Sequence, residues 1–100
     1  MVFEAHWAPT ASRDVKQIPD YLDRIDPDVA PLVLGPVLEK VESLADAPYV
    51  GDIRRKLGSR EIRETVAGNY RIFFILDSHD RTITIQHIRH VHEDDPEFPE

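Results

Sequence analysis

The sequence predicts a small two-layer α+β domain: an N-terminal strand, helical segments, then an antiparallel meander of three to four strands. Three observations predict it. Apolar residues recur at helical spacing between residues 10 and 46. Runs of β-type residues fill positions 53–91. Two of these runs, residues 70–77 and 82–89, are separated only by Ser78-His-Asp-Arg81, the pattern of a hairpin.

Taken in order, residues 2–8 alternate imperfectly, with Phe3, Ala5 and Trp7 on one face, and read as a first strand stopped by Pro9. Thr10 or Ser12 can cap the following helix, with Asp14 in its first turn. Val15, Ile18, Leu22 and Ile25 then form one apolar stripe, which Pro19 is expected to end or restart. Asp26-Pro27 and Gly35-Pro36 repeat the same punctuation. From Pro36 onward Val37, Leu38, Val41, Leu44 and Ala45 make a second stripe, closed by Pro48 and Gly51. The helical region is therefore expected in pieces, cut at Pro19, Pro27, Pro31 and Pro36.

After Gly51, Ile53, Arg55 and Leu57 alternate with Arg54 and Lys56 up to Gly58-Ser59. Ile62, Glu64 and Val66 alternate with Arg63 and Thr65 up to the turn Ala67-Gly68-Asn69. Residues 70–77 are apolar almost throughout, as suits a central strand buried on both faces, whereas Ile83 and Ile85 alternate with polar neighbours. The helices are expected to cover one sheet face and leave the other open. Residues 1–91 thus form a single domain, followed by an acidic C-terminal tail, residues 92–100, draped over the surface.

Composition narrows the function classes. With 100 residues, 41% hydrophobic and 31% charged, the chain is sized for one soluble domain. No run approaches the roughly 20 apolar residues needed to span a bilayer. The N-terminus lacks the basic region of a signal peptide, so a cytoplasmic location is expected. Without cysteine there is no disulfide framework and no thiolate nucleophile or metal ligand. The net charge of −7 opposes general nucleic-acid affinity, yet it is uneven. Residues 53–71 hold six basic side chains against two acidic ones, and residues 92–100 hold five acidic side chains and no Lys or Arg.

Two constellations could carry chemistry. Arg54, Lys56, Arg63 and Arg71 are expected to gather on the open sheet face, where clustered cations would hold phosphates and stabilise a phosphoryl transition state. The plain alternative is a solvated face with an ion pair or two. His87, His90 and His92 match no zinc spacing; a single histidine beside Arg89 could exchange protons near neutral pH, or simply be a hydrogen-bonded side chain. Tyr70, Tyr49, Tyr21 and Trp7 are expected to pack in or near the core. No phosphate-binding glycine loop, nucleophile elbow or dinucleotide fingerprint is present.

The run Ala11-Ser-Arg-Asp-Val-Lys-Gln-Ile-Pro19, the helix end Val41-Glu-Ser-Leu-Ala-Asp-Ala-Pro48, then Arg54-Arg-Lys-Leu57, Gly68-Asn-Tyr-Arg-Ile-Phe-Phe74 and Ile85-Gln-His-Ile-Arg-His90 together resemble the RelE/ParE toxin superfamily. The resemblance implies the toxin of a bacterial type II toxin–antitoxin pair, neutralised by a cognate antitoxin and needing no cofactor or metal. In the RelE-like branch it implies a ribosome-dependent mRNA endonuclease. Arg54 and Lys56 would then match the basic pair of the second strand, Arg71 the arginine after the strand tyrosine, and Arg89 the basic residue ending the last strand. Their roles would be phosphate binding, orientation of the 2′-hydroxyl, transition-state neutralisation and proton transfer. Two features depart from that branch: the tail has no tyrosine, and the chain is acidic. The ParE-like branch lacks the catalytic set and acts by binding DNA gyrase; an inactive, antitoxin-binding member is the third alternative. The acidic tail is expected to fold back on the Arg54–Arg71 patch.

Overall fold

The computed structural model describes residues 2–23, 28 and 30–98. Strand β1 (Glu4–Trp7) leads into helix α1 (Pro9–Asp23) and helix α2 (Ala30–Ser43). Strands β2 (Asp52–Leu57), β3 (Arg60–Ala67), β4 (Tyr70–Asp77) and β5 (Thr82–His90) follow. The sheet has the order β1-β5-β4-β3-β2, with β1 parallel to β5 and every other pair antiparallel. The strand–helices–meander architecture is therefore as the sequence predicts.

The helices differ from expectation at their punctuation. Pro9 is the first residue of α1, where its missing N–H costs nothing, so neither Thr10 nor Ser12 caps the helix. Asp14 lies beyond the first turn. The helical backbone continues through residue 19 to Asp23 rather than ending there. Likewise α2 starts before Pro31 and runs through Pro36. Pro36 removes one helical donor from the carbonyl four residues back, on Leu32; that residue is 75% exposed, so water can take the donor's place. The expected break at Asp26-Pro27 lies outside the described residues.

One core lies between the helices and the sheet. Ala11 and Ile18 of α1 and Val37 and Val41 of α2, with Leu44 just beyond it, meet Ile72, Phe74 and Leu76 of β4 and Ile83, Ile85 and Ile88 of β5. Leu38, expected in the α2 stripe, is instead exposed. Phe3 enters this core, whereas Trp7 and Tyr49 remain exposed because β1 forms a sheet edge and Tyr49 lies in the loop before β2. Strand β4 is buried from Ile72 to Leu76, so its alternate residues Phe73 and Ile75 are buried on the far face as well. Ile62, paired with Ile75, joins them. The far face is thus not an open polar surface at its centre.

Two irregularities set which side chains reach that far face. In β5 the ladder passes from Phe74↔Ile85 to Phe73↔His87, leaving Gln86 as an extra residue. The Thr10 hydroxyl donates to the Gln86 carbonyl at 2.6 Å, and the Asp14 carboxylate accepts from the Ile88 amide at 3.0 Å, so α1 pins this bulge. The bulge reverses parity, turning Ile88 to the helices and Arg89, paired with Arg71, to the far side. A second bulge interrupts β2 between Ile53 and Arg55 and leaves Arg54 unpaired.

Candidate functional site: an arginine face closed by the acidic tail

Arg54, Arg71 and Arg89 converge on the far face of the sheet, each from a different strand. Arg54 Nη1 donates to Glu64 Oε1 at 2.8 Å, and Glu64 Oε2 lies 3.9 Å from Arg71. Asp95 then joins the pair: its Oδ1 accepts from Arg71 Nη1 and its Oδ2 from Arg54 Nη2, both at 2.6 Å. One carboxylate thereby bridges two guanidiniums, the arrangement by which arginines hold carboxylates and phosphates. Arg71 Nη2 donates to the Glu93 carbonyl at 2.7 Å, and Arg89 makes a looser 3.4 Å contact with the Glu93 carboxylate.

The tail supplies these carboxylates because it lies across the sheet. Glu93 Oε1 accepts from the His90 amide at 2.9 Å, turning the chain back immediately after β5. Pro96 is buried, and the Phe98 ring packs on Phe73 with centroids 5.5 Å apart. The same Phe73 ring carries the Arg71 guanidinium 5.1 Å from its centroid. The expected fold-back of the tail is therefore seen, with Glu93, Asp95 and Phe98 all in contact with the sheet face.

The predicted basic set divides between the two faces. After the β2 bulge Lys56 pairs with Glu61 in the ladder, on the side away from Arg54. Its Nζ is 4.0 Å from Glu61, which also accepts from Arg63 Nε at 2.8 Å. Arg63, expected on the open face, is buried on the helix side, donating to the Val50 carbonyl at 3.2 Å and stacking over Tyr49. A regular strand would place Arg54 and Lys56 on one face; the single inserted residue separates them.

The histidines form no joint site. His87 Nδ1 is 3.5 Å from Asp14 of α1. His90 and His92 stack at 5.1 Å and border a cleft of about 460 Å³ with Asp14, Gln17 and Tyr70. Among the described residues no group of His, Cys, Asp and Glu is arranged to hold a metal ion.

Asp95 is held below the ordinary carboxylate value of 3.8, first by the hydrogen bond from Arg71, with the Arg54 charge adding to it. A carboxylate whose folded-state pKa is depressed stabilises the docked tail above its unfolded value and loses that contribution as pH falls through the folded one. The Phe98 ring resonances should therefore hold steady from pH 7 to about 5 and move toward free-chain positions only below 3.8. Release near neutral pH would instead assign control to a histidine.

Family membership accords with this architecture. A family model described as the ParE toxin of the type II toxin–antitoxin system parDE matches residues 5–95. No curated protein sequence matches the chain. The fold is similar to a chain of the RelBE2 toxin–antitoxin complex of Mycobacterium tuberculosis, with TM-score 0.64, 25% identity, and coverage of 90% of this chain and 99% of that one. It is similar in fold to a chain of the archaeal RelE–RelB complex of Pyrococcus horikoshii, with TM-score 0.73, 13% identity, and coverage of 94% and 100%. A chain of the chromosomal ParDE system of P. aeruginosa superposes with TM-score 0.68, 19% identity, and coverage of 89% and 96%. With the family model spanning the first strand, both helices, the meander and the tail as far as Asp95, the chain belongs to the ParE toxin family of type II toxin–antitoxin systems.

Proposed function

We propose that this toxin arrests growth by binding DNA gyrase and is neutralised by a cognate antitoxin protein. The observation that carries the target is how the arginine face is satisfied. A nuclease needs cations free to meet the charge of a phosphoryl transition state, and a group poised to exchange a proton. Here, among the described residues, the side chains in hydrogen-bond or ion-pair contact with Arg54, Arg71 and Arg89 are the carboxylates of Glu64, Asp95 and Glu93. Lys56, the amine that the nuclease reading would use, faces the other side. A chain of net charge −7 also repels RNA at long range. Paired charges around an aromatic centre suit recognition of a protein, where they set register and specificity.

The antitoxin reading is supported by family membership and by the surface left uncovered. Leu32 and Leu38 on α2 are exposed apolar residues, and β2 is a sheet edge exposed along its whole length. Such an edge invites a partner strand, and a helix with exposed leucines invites an apolar one.

In a supercoiling assay with purified gyrase, the toxin should abolish supercoiling of relaxed plasmid, and co-purified antitoxin should restore it. Unimpaired gyrase together with new mRNA 5′ ends inside codons, mapped by primer extension, would instead assign ribosome-dependent cleavage by Arg54, Lys56, Arg71 and Arg89. No growth arrest on expression without antitoxin would favour an inactive, antitoxin-binding member.

A further inference from the structure

We infer that the Arg54–Arg71–Phe73 face is a receptor for an acidic peptide segment of a partner protein, one with a carboxylate followed three residues later by an aromatic, and that the chain's own tail occupies it as an intramolecular placeholder. The inference concerns what this face binds and does not depend on gyrase being the target.

The tail displays the ligand chemistry directly. Asp95 places one oxygen on each of two guanidiniums, and Phe98, three residues on, lays its ring on Phe73. Pro96, buried between them, fixes its own φ and restricts the freedom of the segment that joins the two anchors. Charge and shape are thus matched at two anchors, a carboxylate clamp and an aromatic platform, side by side on rigid strands.

The match is nonetheless incomplete. Among the described residues, the Nε atoms of Arg71 and Arg89 are buried without a hydrogen-bond partner, and Arg89 pairs with the Glu93 carboxylate at 3.4 Å. A buried donor left unmet is unfavourable, so a segment bringing one more well-placed acceptor would outbind the tail contact for contact. The tail holds its place through tethering, because a short linker gives it an effective concentration on the order of millimolar. An acidic peptide fits better than a nucleic acid. The face already holds Glu64 among its arginines, which repels a string of phosphates but leaves room for single carboxylates.

The test uses the full chain and a fluorescent synthetic peptide of residues 91–98 as the probe in trans. In the double variant Asp95→Asn, Phe98→Ala the resident tail loses both anchors, and the peptide should bind about tenfold tighter than to the wild-type chain, whose site is masked. Asp95→Asn alone should fall between the two. A probe peptide carrying the same two changes should not bind, and adding Arg54→Ala to the double variant should weaken binding about tenfold. Equal peptide affinity for wild-type and double-variant chains would overturn the inference. So would tighter binding of a single-stranded RNA octamer than of the peptide, or a concentration-dependent dimer of the wild-type chain by sedimentation, which would make a second copy the source of the segment.

Discussion

Gly51→Ala should cost about 3 kcal/mol and disturb the arginine face from a position that never touches it. Gly51 precedes β2 at φ 75°, a left-handed conformation that a Cβ disfavours. A Cβ built there would be driven into the Glu64 carbonyl, with the Thr65 Cβ 3.2 Å away. That carbonyl belongs to the first rung of the β2–β3 ladder, Asp52↔Glu64, so relief requires the two strands to part where Glu64 holds Arg54. Gly58→Ala is the matched control, with a similar φ of 65° but nothing within 4 Å of its Cβ. It carries the backbone strain alone, about 1 kcal/mol. Urea unfolding of the two variants separates the effects; equal losses would mean that β3 yields without cost.

Phe74→Ala should remove about 4 kcal/mol, a large part of the stability of a domain this size, and lower the melting temperature by about 20 °C. Phe74 is 0% exposed and sits in the cluster that joins both helices to the sheet, so its loss leaves a cavity that rigid strands cannot close. Its neighbour Phe73 is equally buried but points the other way, beneath Arg71 and against Phe98. Phe73→Ala should likewise destabilise, and should also free the tail, read as faster proteolysis after residue 91. Phe74→Ala molecules that remain folded should keep the tail docked. Calorimetry with limited proteolysis distinguishes them, and identical cleavage of both variants would remove Phe73 from the site.

The division between these two phenylalanines shows where the sequence is explicit. An apolar run such as Ile72–Leu76 announces a strand buried on both faces, and Ile18, Val37, Val41 and Leu44 announce the helix faces that cover it. Turn residues bracket the strands, and the helices, though not their proline joints, follow from spacing. Proline misled because a helix starting at Pro9 welcomes it, and one whose Leu32 is exposed tolerates Pro36.

The candidate site was legible in composition and not in geometry. The basic residues of positions 53–71, Arg89 and the acidic tail are all visible in the sequence, as is the opposition of charge between patch and tail. Which of them meet depends on two inserted residues, Arg54 and Gln86, that local pattern does not reveal. By itself the sequence determined the element order, the central strand and most of the helix stripes that cover it, and the family resemblance, because burial period and turn chemistry are local properties of the chain. Only the tertiary structure decided that Lys56 and Arg63 leave the face, and that of the tail carboxylates Asp95 bridges Arg54 and Arg71 while Glu93 reaches Arg89. A bulge changes the facing of every residue beyond it, and it is fixed by distant partners such as Thr10 and Asp14 rather than by its neighbours in the chain.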